Sequence, residues 1–287
     1  MYPNLPQKTT FPSITNPRKI IKYYSSDTFK FFKANKVERA YLVFSKRLFN
    51  STLEFLKEHN MPYTLDLPSL LKGSAFVPSK RVIIRANFGF GAPVTAIVME
   101  ELIALGVQEF IFVGMAGAIG LNLNVGDIMV PTAAIADEGT SYHYVDYEKM
   151  KGSPEFNALI DQSGIGDKTK RFNITFPDLE FTYGVVKKLR GLGFSVKTGL
   201  NWTTDAPYRE TPLEIETYRQ AGVLTVEMEA SAIFAVAQYR SKQLKTRIKT
   251  AGIFVISDIL DVKEHKPAFF DSIPVLAKVL GGLVKFK

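Results

Sequence analysis

The 287-residue sequence has no cysteine and only three histidines, His59, His143 and His265. Without thiols there can be no disulfide, no thiolate metal site and no cysteine nucleophile. The histidines have no partners at ligand spacing, so no metal motif stands out and no metal is expected. No apolar run reaches the 18 residues that would suggest a membrane span, and no basic, then apolar, then small-residue leader is present. A cytoplasmic protein with no membrane contact is the expectation. A G-x-S-x-G elbow, a dinucleotide fingerprint and a P-loop lysine are also missing, which argues against three common chemistries. The formal charge of +8 comes from 36 Lys and Arg against 28 Asp and Glu. These basic residues are scattered rather than gathered in a stripe, so no nucleic-acid partner is expected.

What is present is a chain of 46% hydrophobic residues, long enough for one large core. Residues 1–40 are rich in Pro, Asn and Lys with little periodicity, and are expected to form an irregular N-terminal arm. Residues 41–287 are expected to form a single α/β domain. Short β-branched and aromatic runs such as "AYLVF" (40–44) and "RVIIRANF" (81–88) have the character of buried strands. "VTAIVMEELIAL" (94–105) has helical spacing, and Gly106 follows where a left-handed cap is usual. "EFIFVGMAGAIG" runs from a strand into a turn, and "GDIMVPTAAIA" suggests a strand pair. A helix at "FTYGVVKKLRGLG", a strand at "AGVLTVEM", a helix at "ASAIFAVAQYR" and a strand at "TAGIFVISDI" continue the alternation before a C-terminal helix. The pattern predicts a three-layer αβα fold around a mixed, mostly buried β-sheet.

Ligands of such sheets gather where strands end. At these ends Gly89 and Gly91 could bring backbone close to a ligand, or simply form a tight strand-to-helix turn. Glu227 and Glu229 flank Met228 in "TVEMEAS". If residues 223–229 stay extended, both acids point to one side and Met228 to the other. Buried carboxylates need donors. The vicinal hydroxyls of a sugar would suit, each hydrogen bond to a charged group contributing about 1.5–3 kcal/mol. The alternative is a carboxylate capping the helix that follows. Asp258 in "VISDIL" is either a helix cap or an acid with a raised pKa able to share a proton.

Residues 80–260, from "FGFGAPVTAIVMEELIALGVQEFIFVGMAGAIG" through "TTDAPY" and "VLTVEMEASAIFAVA" to "VISD", resemble the nucleoside phosphorylase superfamily of uridine and hexameric purine nucleoside phosphorylases. The resemblance implies that Glu229 accepts hydrogen bonds from the ribose 2′ and 3′ hydroxyls, with Met228 packed on the sugar and Glu227 close by. Asp258 matches the acid with which purine-specific members meet N7 as the glycosidic bond breaks. Thr203, Thr204 and Tyr208 fall in the base-pocket segment, with Pro207 replacing an aromatic residue. Gly91 falls in the loop beneath sugar and phosphate. The implied partners are a nucleoside and phosphate, the phosphate as co-substrate with no other cofactor. A homo-oligomer, dimer-based and expected as a hexamer, is also implied.

The departures concern phosphate. Where the family has an arginine and a Ser or Thr, this chain has Phe112 and Met115. The family's "GDP-x-R" loop is replaced by "LVFSKRLFN", which offers Ser45, Lys46 and Arg47. Either Lys46, Arg47 or Arg85 rebuilds an anion site, or phosphate is not the nucleophile, since a transition state without such partners loses several kcal/mol. The expected function is phosphorolysis of a nucleoside, purine ribosides foremost. Uridine phosphorolysis, hydrolysis by water and a non-catalytic binding role are the alternatives.

Overall fold

The computed structural model describes residues 8–86, 88–261, 265–267 and 272–285, the backbone alone at 265–267. Residues 1–7 of the expected arm, Asn87 and the His265 side chain lie outside the described residues. The elements in chain order begin with α1 (Pro17–Tyr24), α2 (Ser26–Asn35), β1 (Arg39–Val43), α3 (Lys46–Glu58), β2 (Ala75–Val77), β3 (Val82–Arg85) and α4 (Ala92–Ala104). Next come β4 (Glu109–Ala118), β5 (Ile128–Asp137), α5 (Tyr147–Met150), α6 (Pro154–Ser163), β6 (Ile174–Thr175), α7 (Leu179–Gly191) and β7 (Val196–Thr204). The chain then forms α8 (Pro212–Gln220), β8 (Val223–Glu227), α9 (Ala230–Leu244), β9 (Lys249–Leu260), β10 (His265–Pro267) and α10 (Ile273–Lys285).

All ten of these strands join one mixed sheet, in the path β10-β9-β5-β7-β8-β4-β1-β3-β2 with β6 on β5. Because β9 also pairs with β4, the ladder β4-β9-β5-β7-β8 closes on itself. Closure needs long central strands, and β4 and β9 supply them. Their runs "FIFV" and "IFVIS" lack alternation because both faces are buried, as in a strand covered by helices on each side. One apolar layer joins β-sheet residues to Phe32 of α2, Met99 and Leu102 of α4 and Phe234 of α9. The opposite layer uses Leu48 of α3, Leu189 of α7 and Leu276 and Leu280 of α10. The fold is three-layered, α on β on α.

Several local outcomes follow from side-chain chemistry. α4 starts at Gly91, whose φ of +96° suits glycine, and it ends before Gly106 at φ +103°, where the cap was expected. α9 begins with eight consecutive buried residues, half of them alanine, so it lies close against the sheet. Two expectations on secondary structure change. Residues 126–136 contribute one long strand, β5, with a bulge between Pro131 and Ala133, rather than a strand pair. Part of the expected irregular arm is helical: Asn16 caps α1 through Lys19 N, and Pro17 pre-sets the first turn. With only eight residues, α1 is too short for periodicity to announce.

The α3–α10 contact is tight enough to test. A Cβ placed on Gly281 of α10 would fall inside the Phe55 ring of α3, whereas one on the adjacent Gly282 meets only Leu192 Cδ1 at 3.1 Å. Gly281→Ala is expected to lower stability by about 1–3 kcal/mol, and Gly282→Ala to change it by under about 1 kcal/mol, because better helix propensity offsets the milder crowding. Urea unfolding of both variants measures the contrast.

Candidate active site

At one end of the central strands lies a cavity of about 750 Å³. Its wall is made by the end of β1 and the start of α3, by residues 113–117 of β4, by the β8–α9 junction and by the end of β9. A larger cleft, about 850 Å³, lies between the N-terminal segment and α4 and α9. Its central acid is already paired, Glu100 with Arg240 at 2.7 Å. The 750 Å³ cavity, at strand ends and rich in carboxyls, is the candidate site.

Glu227 anchors it. Strand β8 ends at this residue and the chain bends through Met228 and Glu229 into α9, so 223–229 is not extended to its end. Glu227 Oε1 accepts from Asn201 Nδ2 at 2.7 Å and Thr203 Oγ1 at 2.6 Å. Its Oε2 accepts from Glu229 N at 2.7 Å and Ala230 N at 2.8 Å, amides at the start of α9. The helix-capping alternative therefore describes Glu227 well. Around it Thr225 Oγ1 donates to Asn201 Oδ1 at 2.8 Å, and Thr203 Oγ1 accepts from Ser231 N at 3.0 Å. Glu138, which the sequence did not single out, accepts from Ser231 Oγ at 2.9 Å.

Glu229 is held differently. It lines the cavity, is 7% exposed, and its Oε1 accepts from Gly91 N at 2.6 Å. That contact brings the loop before α4 to the β8–α9 junction. Burial pushes both carboxyls up. At Glu227 four donors oppose the rise. Burial and then the neighbouring Glu227 charge carry Glu229 to about 8, with the Gly91 amide opposing.

Asp258 lies inside β9, not at a helix start, so the capping alternative does not apply to it. The β4–β9 register shifts between Ala116, opposite Ile256, and Gly117, opposite Asp258. Such a bulge re-aims side chains. Here Ser257 Oγ donates to Asp258 Oδ1 at 2.5 Å, and Asp258 is buried at the cavity wall. Gly117 makes room: a Cβ there would collide with Leu260 and lie 3.2 Å from Asp258 Oδ2.

Of the residues singled out by sequence, the cavity wall brings together Glu227, Met228, Glu229, Asp258, Tyr208 and Ser45, with Phe112 and Met115. Gly91 reaches it through Glu229, and Thr203 through Glu227. Tyr208 is fully exposed at the rim, on a short turn after β7. Thr204 is buried and accepts from Ala206 N at 3.2 Å, shaping that turn. Lys46 and Arg47 are exposed in the first turn of α3, which Ser45 caps through Leu48 N, and neither lines the cavity. Arg85 is buried elsewhere, donating to Ser74 Oγ and Ala86 O at 3.1 Å, with its guanidinium 5.7 Å from the Phe88 ring centroid. Burial lowers its pKa, and Glu101 partly opposes this. Phe44 packs edge-on against both Phe88 and Phe112 at 4.8 Å, giving the cavity an aromatic end. No Lys, Arg or His is among the described residues lining it. Glu210, Asp261, Ser257 and Phe90 line it without having been expected. For Glu210 a signal existed: "TPLE" at 211–214 is a capping box, which puts residue 210 at a helix entrance.

The chain belongs to the phosphorylase superfamily, whose family model matches residues 71–282. It is 31% identical over 150 residues to a guanosine phosphorylase of Halorubrum lacusprofundi, covering 52% of each chain. To a uridine phosphorylase of Escherichia coli it is 26% identical over 168 residues, 54% of this chain and 57% of the other. The chain spans about half the length of the first curated relatives it matches. Its fold resembles that of an AMP nucleosidase from Bacteroides thetaiotaomicron, with a TM-score of 0.59, 18% identity and coverage of 93% and 96%.

The raised Glu229 carboxyl makes stability depend on pH. In the folded chain it keeps its proton up to about 8, while the unfolded chain releases it near the ordinary glutamate value. The folded state therefore binds more protons in between, and stability falls as pH rises through that window. The expected contribution is a loss of about 1 kcal/mol per pH unit between roughly pH 5 and 8, absent in Glu229→Gln. Urea midpoints across that range for both proteins check it; parallel curves would refute it.

Proposed function

We propose that this protein cleaves the N-glycosidic bond of a nucleoside, with purine ribosides as preferred substrates. The observation that carries this is the convergence of Glu229, Met228 and Asp258 on one cavity, in the arrangement that the family resemblance assigns to sugar and base. Glu229 binds the ribose diol. Without a ligand its carboxyl is costly as an anion, and two hydroxyl donors would stabilise the charged form, so binding is coupled to loss of its proton. Asp258 meets the base as the bond breaks and the ribose becomes oxocarbenium-like. Tyr208, at the rim, covers the base. Glu227 acts by holding the junction rather than by touching the sugar.

The nucleophile is phosphate by family, giving free base and ribose 1-phosphate. Water is the second reading, favoured by Phe112, Met115 and the lack of any described cation on the cavity wall. Phosphorolysis would require Lys46 or Arg47 to move toward the site, or a neighbouring subunit to supply a cation. The latter suits a homo-oligomer, expected as a hexamer. Phe11, Ile14, Tyr23, Tyr24 and Ile97 are large apolar or aromatic residues left exposed, suitable for self-association.

A nucleoside panel assayed for base release with and without phosphate tests the reaction. Saturable acceleration by phosphate identifies a phosphorylase, an equal rate without it a hydrolase, and binding with no release a non-catalytic relative. In the same assay Glu229→Gln should impair ribosides at least about tenfold more than 2′-deoxyribosides, because part of the lost contact is already missing in the latter. Equal losses would make Glu229 structural. Asp258→Asn should slow natural purine nucleosides by about 10–100-fold, through its weakened hydrogen bond to the departing base.

A further inference from the structure

The cavity contains a carboxyl to which neither the motifs nor the architecture gives a task. Glu210 sits between the turn Pro207–Arg209 and α8. Its backbone is fixed from both sides. Arg209 N donates to Ala206 O at 2.8 Å, and Thr211 next in sequence forms the reciprocal box with Glu214, at 2.9 and 3.3 Å. Its side chain is half-buried at the cavity wall and makes no hydrogen bond or ion pair among the described residues. The other acids differ in this respect: Glu227 has four donors, Glu229 has Gly91 N and Asp258 has Ser257 Oγ. A half-buried carboxyl with no partner stabilises nothing in the fold, and ionising it beside other acids is unfavourable.

We propose that Glu210 is a further catalytic residue of this cavity, the acid whose proton the departing base takes, beside Asp258 on the same wall. The proposal rests on the N-glycosidic reading above. Two carboxyls facing one cavity do not ionise independently. An acid with no donor for its anion holds its proton more strongly, and on this wall that acid is Glu210. In agreement, the Glu210 carboxyl is pushed up to about 7, first by burial, then by the charges of Asp258 and Glu214. The remaining ionisable groups on the cavity wall are Tyr208, Glu227, Glu229 and Asp261. None of these described groups carries positive charge to draw the proton off.

The step balances simply. As the C1′–N bond breaks, its electron pair stays on the base, and a base nitrogen takes the Glu210 proton, so the base departs neutral. The nucleophile bonds to C1′ and gives up its own proton, which returns Glu210 to the acid form. Water and hydrogen phosphate both supply that proton, so the role of Glu210 is independent of which attacks. The substrates it serves are nucleosides whose base leaves poorly as an anion.

The test compares Glu210→Gln and Glu210→Asp with the unaltered protein across pH, on a natural purine riboside and on nitrophenyl riboside, whose leaving group needs no proton. Turnover of the natural riboside by the unaltered protein should fall as pH rises through about 7. Glu210→Gln should lose at least about 10²-fold on that substrate and less than about fivefold on the nitrophenyl riboside, with the alkaline fall abolished. Glu210→Asp should retain activity with the alkaline fall displaced, a readout that survives if the glutamine variant folds poorly. Equal losses on both substrates, or an unchanged pH profile, would overturn the proposal alone. No release from either substrate at any pH would overturn the N-glycosidic reading along with it.

Discussion

The site depends on how Glu227 is held. A carboxylate at the end of a buried strand is tolerable only if its oxygens are satisfied, and here four donors meet it within 2.8 Å. Two are amides at the start of α9, so the acid joins strand to helix and complements the positive end of the helix dipole. Two are side chains of β7, Asn201 and Thr203, so it also joins neighbouring strands. The bend through Met228 then places Glu229 at the cavity, and the Gly91 amide completes the link to the loop before α4. Residues distant in sequence are fixed by one carboxyl group. Removing it would leave several buried donors without acceptors, each costing about 1–3 kcal/mol.

That arrangement explains why two glutamates two residues apart have different tasks. Glu227 is surrounded by protein donors and has none of its lone pairs to spare. Glu229 has one protein donor and faces a cavity, and burial and the neighbouring Glu227 make its own ionisation harder. A ligand bearing adjacent hydroxyls offers the donors that the protein withholds. The same logic separates Asp258 from Glu210: a serine donor at one, none at the other. In each pair the fold brings two similar acids to one cavity, and the donors each one meets help to distinguish them.

The fold was legible where patterning is strong. Apolar runs without alternation marked β4 and β9, and helical spacing ending in Gly106 marked α4 to within two residues at its start. Helices α1 and α2 were not, because Pro, Asn and Lys dilute their apolar spacing and their stability comes from docking, Ile21 and Phe32 being buried. β5 was split in expectation because Pro131 interrupts its run, whereas a bulge beside it keeps the strand whole. At the site, the motif around Glu229 and Asp258 was readable, but their exact settings were not. The bend at Met228 and the bulge at Ser257 are register events, invisible in a one-dimensional pattern. Glu210 was missed because its significance lies wholly in what does not touch it.

The aromatic end of the cavity and its acidic end impose one further constraint on chemistry. Phe44, Phe88 and Phe112 interlock at one end of the cavity, and filling that region with rings makes it a poor place to desolvate an anion. Carboxyls at the other end offer an anion no counter-charge either. An attacking group that arrives neutral meets neither penalty, and it can leave its proton with an acid already in the cavity. A dianion has to bring its own compensation, from α3 or from another subunit, before it can enter. On the proposed N-glycosidic reading, the side chains lining the described cavity penalise an anionic attacker that brings no counter-charge, while a diol-binding role for Glu229 suits either attack equally well.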